Sequence, residues 1–104
     1  MLRIKDSVDL AGVQPEMFFA AVIVDQVFTF FGVPQTWITS AKDSEHGYGS
    51  LHNVGFALDF RTRHIPTEEA KENIVRELKF RLHHPNMYDV VLESTHIHIE
   101  YLPK

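Results

Sequence analysis

No cysteine occurs in the 104 residues, which excludes disulfides and every zinc site built on thiolates. Positive charge is also scarce: ten Lys and Arg stand against fourteen Asp and Glu, a net charge of -4 with histidines neutral. That balance argues against non-specific binding to nucleic acid or to an anionic membrane, both of which need a basic face. Long hydrophobic runs are missing as well. The longest apolar segment, Met17 to Phe31, is broken by Asp25, Gln26 and Thr29 and is too short to span a bilayer. The opening MLRIKDSVDL lacks the apolar stretch of a signal peptide, so a protein of this sequence acting outside a cytoplasm needs another route of release. There are no repeats and no low-complexity segments. A chain of this length forms one domain, read as 1–104, and its 44% hydrophobic content suffices for a core. So small a domain has little stability to spare, and a bound metal would also matter for its folding.

Histidine, in contrast, is plentiful: there are seven, all from His46 onward. Histidine serves as metal ligand and as acid or base near neutral pH, so their placement matters more than their number.

The pattern along the chain predicts an α+β domain with a small, mostly antiparallel sheet and two main helices. Leu2 to Lys5 reads as a short strand or an extended arm. Pro15 suits a first helical turn, and the run from it ends at Gly32, a natural residue just past a helix C-terminus. This helix is apolar on most faces and is expected to be largely buried. Thr36 to Ser40, TWITS, is β-branched and aromatic, hence a strand. Residues 41–51 are rich in glycine and small polar side chains and form a loop. A strand follows over Asn53 to Phe60. Thr67 caps a second helix with Glu68 and Glu69 in its first turn. Its apolar stripe is Ala70, Ile74, Leu78 and Leu82, opposite a solvated face containing Lys71, Glu72, Arg76 and Lys79; Pro85-Asn86 closes it. YDVVLE and HIHIEY are two strands or one bent hairpin.

In HIHIEY, strand alternation puts His96, His98 and Glu100 on one face and Ile97 and Ile99 on the other. The isoleucines pack inward, and the imidazoles form a polar outer face or line a site. Adding His52 and Asp59 supplies two kinds of donor for a three-ligand metal site with an open fourth position. His52 and Asp59 are seven positions apart, an odd offset that would set them on opposite faces of a regular strand. Either His52 precedes the strand or Gly55 bends it. The alternatives are a loop histidine and an aspartate paired with Arg61 or Arg63. Glu93 lies just before the His-X-His segment, where a carboxylate can act as general base. His46 stands in the glycine-rich loop as a donor or as an exposed residue.

Together these segments resemble a known family. GSLHNVGFALDF carries the S-x-H-x-x-G-x-A-x-D signature of the M15-type zinc peptidases, a group of D-Ala-D-Ala carboxypeptidases, L-alanyl-D-glutamate endopeptidases and phage endolysins. Ser50, His52, Gly55, Ala57 and Asp59 match it. The same segments are similar to the zinc site of the hedgehog signalling domain, with its SLH, its G-x-A-x-D and its terminal E-S-x-x-H-I-H, one residue longer than E-S-T-H-I-H here. The resemblance covers roughly Thr36 to Tyr101 and implies a fold of the hedgehog and DD-peptidase kind.

It further implies zinc (Zn2+) as cofactor, with His52 and Asp59 as two ligands and His98 as the third. His96 is then a neighbour stabilising the oxyanion; the acid-to-histidine spacing of many M15 members would make His96 the ligand instead. Glu93 takes the place of the catalytic carboxylate, His46 that of an auxiliary histidine, and Ser50 and Lys42 fall in the substrate-binding region. Carboxypeptidase members hold the substrate's terminal carboxylate with an arginine upstream of the motif. No arginine lies between Lys5 and Asp59, and Lys42 is the basic candidate in the loop, which favours an endopeptidase. The implied activity is hydrolysis of stem or cross-link peptides of bacterial peptidoglycan by a monomeric catalytic domain. The missing signal peptide and short length suit a phage or prophage protein held in the bacterial cytoplasm until release. The alternative is a catalytically inactive zinc-binding virion or interaction module of the same fold.

Overall fold

The computed structural model describes residues 1–41, 56–83 and 87–101. Their element order is β1 (Leu2–Ile4), α1 (Pro15–Phe30), β2 (Thr36–Ser40), β3 (Ala57–Arg61), α2 (Glu68–Arg81), β4 (Tyr88–Leu92) and β5 (His96–Tyr101). The five strands form one sheet in the order β1-β2-β3-β5-β4. Only the β1–β2 pair is parallel; β2–β3, β3–β5 and β4–β5 are antiparallel. This is the expected small α+β fold with two helices and a mostly antiparallel sheet.

The helix boundaries follow from local chemistry. Pro15 occupies the first turn of α1, where its missing N–H costs nothing. At the other end Gly32 adopts φ 79°. The Val33 N–H reaches the Phe28 carbonyl at 2.8 Å and the Gly32 N–H reaches Thr29 at 3.0 Å. These two bonds form a Schellman motif, which satisfies carbonyls that the helix end leaves open. In α2 the Thr67 hydroxyl accepts from the Ala70 N–H at 3.0 Å, and acidic residues open the helix while Lys79 and Arg81 close it.

The core fills the space between the helices and one face of the sheet. Leu58 and Phe60 from β3, Ile97 and Ile99 from β5 and Ile38 from β2 meet Met17, Val24 and Phe28 of α1 and Ile74 and Leu78 of α2. Strand alternation therefore assigns Ala57, Asp59 and Arg61 of β3, with His96, His98 and Glu100 of β5, to the opposite face. β4 and β5 form the hairpin foreseen for YDVVLE and HIHIEY.

Three expectations need correction. α1 is not largely buried: Phe18, Phe19, Val22 and Phe30 are exposed, Phe30 by 71%. A helix lying on one side of a single sheet can bury only the face it turns to that sheet, and apolar content all round does not change this. Lys71 leaves the solvated face assigned to it, with only 15% of its side chain exposed. The second central strand runs one residue past its expected end at Phe60, through Arg61, and its expected start at Asn53 lies outside the described residues. Residues 53–55, the loop lysine and the closing Pro85-Asn86 lie outside the described residues. Among the described residues no helix is long and apolar enough to cross a membrane.

A Cβ added at Gly32 would meet no atom within 4 Å, so replacement costs backbone strain alone. Gly32→Ala should destabilise the fold by about 1–2 kcal/mol and lower the melting temperature by several degrees in a thermal scan. Unchanged melting would show that the turn has another way to close.

Candidate metal centre

Asp59 sits in β3, between β2 and β5. The residue is 5% exposed. A carboxylate that deep in a sheet must be met by donors or cations, because desolvation otherwise penalises its charge heavily. Register supplies them. Asp59 pairs directly with His98 across the β3–β5 ladder, and Arg61 pairs with His96. The two imidazoles flank the carboxylate on the outer face.

The Asp59 Oδ1 lies 2.6 Å from His98 Nδ1 and 3.7 Å from His96 Nε2. One donor atom from each of Asp59, His96 and His98 falls within 4.8 Å of the others, a possible metal-binding group. Ligands at about 2.1 Å from a small tetrahedral ion stand roughly 3.4 Å apart. Binding would require the short Asp59–His98 contact to open by about 1 Å and any pair near the 4.8 Å limit to close. The donor set, two imidazoles and a carboxylate, suits a divalent transition ion.

Each ring is held at its far side. The Thr95 hydroxyl and His96 Nδ1 are 3.0 Å apart, which leaves His96 Nε2 toward the carboxylate. His98 Nε2 lies 2.7 Å from Glu100 Oε1. Glu100 had no role assigned from sequence, although its place two residues after His98 puts both on one strand face. Its carboxylate fixes His98 so that Nδ1 faces the candidate site, the arrangement by which an outer carboxylate orients a ligating imidazole.

Both neighbours of His98 are carboxylates, which only accept, so both ring nitrogens are donors and the ring is an imidazolium. The hydrogen bond to Asp59 raises its pKa from 6.5 to about 9; burial opposes this, and the hydrogen bond to Glu100 adds to it. A metal arriving at Nδ1 must displace that proton.

The remaining sequence candidates divide into two sets. Glu93 follows the last β4–β5 ladder pair, Leu92 with Ile97. Its N–H donates to the His96 carbonyl at 2.8 Å, which places Glu93 opposite His96 and on the outer face by alternation. The convergent group does not include it. His46, His52, Ser50 and Lys42 lie outside the described residues, as does the bend expected at Gly55. β2 contributes Ser40, which pairs with Asp59 through an irregular register. Its hydroxyl is buried without a hydrogen bond among the described residues.

No family model, curated protein or solved structure matches the chain. The resemblance therefore rests on the motif residues themselves.

Two measurements test the centre. With His98 protonated up to about pH 9, binding of one zinc ion at pH 7 should release close to one proton from this residue. Calorimetry in two buffers of different ionisation enthalpy reads that number, and zero release would mean that His98 does not ligate. In the metal-free protein the raised pKa stabilises the fold fully below pH 6.5, and this contribution is lost as pH rises through about 9. The melting temperature of the metal-free protein should fall between pH 7 and 9.5, and Glu100→Gln should flatten that fall.

Proposed function

We propose that the chain is a zinc-dependent peptidase acting on peptides of bacterial peptidoglycan, an endolysin-like activity. The observation that carries the reading is the convergence of Asp59, His96 and His98, residues up to 39 positions apart, on the outer face of the two adjacent strands β3 and β5. The motif around Asp59 and the E-S-T-H-I-H segment supply the family to which such a site is similar.

Zinc at this site would lower the pKa of a water molecule toward about 7 and polarise an amide carbonyl. The chain's own groups then have separate tasks. Asp59 and His98 hold the ion, with Glu100 orienting His98, and His52 is the further ligand implied by the motif. His96, its Nε2 turned to the same point, either completes the ligand set or donates to the oxygen that gains charge as water adds to the carbonyl. Glu93, opposite His96, accepts the proton of the attacking water and returns it to the amine as the C–N bond breaks. Substrate specificity would come from the segments bordering the site, including the loop with His46, Ser50 and Lys42.

A second reading is a zinc-binding module without turnover. It is favoured by one observation: Glu93, the carboxylate assigned as general base, is an exposed residue just past the end of β4.

Purified peptidoglycan separates the two. Incubation should generate new amino termini detectable by mass spectrometry, and a chelator should abolish them. Glu93→Ala should keep one bound metal per chain and lose about a hundredfold or more in rate; undiminished release would remove Glu93 from its role. Asp59→Asn should lose both metal and activity. One bound metal per chain with no new amino termini would favour the second reading.

A further inference from the structure

Beside the metal centre lies a cleft of about 380 Å³ lined by Thr39, Arg61, Thr62, Arg63, Lys71, Ser94, Thr95 and His96. In a chain of net charge -4, its lining among the described residues holds three cationic side chains and no carboxylate. The cations come from three directions: Arg61 ends β3, Arg63 follows it, and Lys71 enters from the first turns of α2. Hydroxyls surround them. Thr62 is 1% exposed, and its hydroxyl is buried with no hydrogen-bond partner among the described residues.

Neither arginine meets a carboxylate among the described residues, whereas Lys71 does. Arg61 lies over the Trp37 ring at 5.0 Å. A cation–π contact of this kind holds the guanidinium without a carboxylate and leaves N–H donors for an oxyanion. The carboxylate that Lys71 meets is Glu68, at 2.9 Å, and that side chain is 77% exposed. The exposed Glu68 carboxylate is free to turn to water, so an arriving anion can take its place at Lys71.

We infer that this cleft is an oxyanion subsite, taking a carboxylate or phosphate group. His96 belongs both to its lining and to the metal-binding group, so an anion here sits next to whatever the metal centre holds. Arg61 is two residues from Asp59 on the same strand face, about 7 Å along the strand. An extended peptide covers that distance in about two residues. The assignment of the anion to a substrate rests on the peptidase reading: the group held would be a free carboxylate within about two residues of the amide to be cut. The anion subsite itself does not depend on that reading. The sequence offers no arginine between Lys5 and Asp59, and Lys42 is the basic candidate in the loop. The fold brings arginines from behind the motif instead, because β3 carries Arg61 past the site on the same face as Asp59.

The test uses metal-free protein, so that it stands apart from any hydrolysis. Glutarate and inorganic phosphate are titrated separately at constant ionic strength, with backbone amide NMR as readout. Saturable shifts confined to Thr39, Thr62, Ser94, Thr95 and their neighbours are expected with glutarate. Arg61→Ala with Arg63→Ala should weaken binding about tenfold or more while amide positions far from the cleft stay unchanged. Arg63→Ala alone, at an exposed position, provides a variant whose folding is not in question and should weaken binding less. Phosphate binding without glutarate binding would overturn the carboxylate assignment and leave a phosphate site. No saturable shift with either anion, or shifts unaltered in both variants, would overturn the subsite. If hydrolysis of a peptide is established, amidating its free carboxylate should raise KM with little change in kcat. An unchanged KM would detach the subsite from the substrate while leaving anion binding intact.

Discussion

A carboxylate buried in the middle of a sheet imposes a condition on everything around it, and Asp59 imposes it here. The strand that carries it also carries Leu58 and Phe60, which are fully buried against the helices. Core packing fixes the strand, and so the carboxylate cannot swing out to water. It must be compensated where it stands. The β3–β5 register does this by setting His98 opposite it and His96 one pair further along. A shift of one residue would send both imidazoles into the core and both isoleucines to the surface, so hydrophobic burial locks the polar geometry. The precision of the site derives from the apolar face that the site never touches.

The compensation comes in a form that a metal can replace. A proton shared between Asp59 and His98 does in the metal-free protein what an ion would do in the loaded one: it places positive charge beside a buried anion. Glu100 serves both states by holding the far nitrogen of the ring. The hydrogen bonds of His98 to Asp59 and Glu100 place a cation beside the buried carboxylate. The same bonds make metal binding compete with a proton, and so couple the site to pH.

Much of this was legible locally. Period-two alternation in HIHIEY gave its two faces, and an i, i+4 stripe gave the buried side of α2. Thr67, Pro15 and Gly32 marked helix ends through chemistry acting over a few residues. The fate of α1 was not legible, because its apolar side chains surround the helix and nothing in them says how many partners will cover it. Lys71 was misplaced for the opposite reason. Its helical position looked solvated, and only the fold brings it into one cleft with Arg61 and Arg63. Glu100 was visible as a face neighbour of His98, yet its role depended on a side-chain hydrogen bond that spacing does not reveal.

By itself, then, the sequence determined which residues could share a face, where helices begin and stop, and that histidine and carboxylate rather than thiolate must supply any metal ligands. These are matters of local periodicity and side-chain chemistry. Only the tertiary structure decided that Asp59 meets His98 and His96, and that Arg61, Arg63 and Lys71 gather beside them. Those juxtapositions span up to 39 residues and depend on which strand edges pair. Strand pairing is settled by burial of the whole apolar face at once, a sum over the core to which no short stretch of sequence holds the answer.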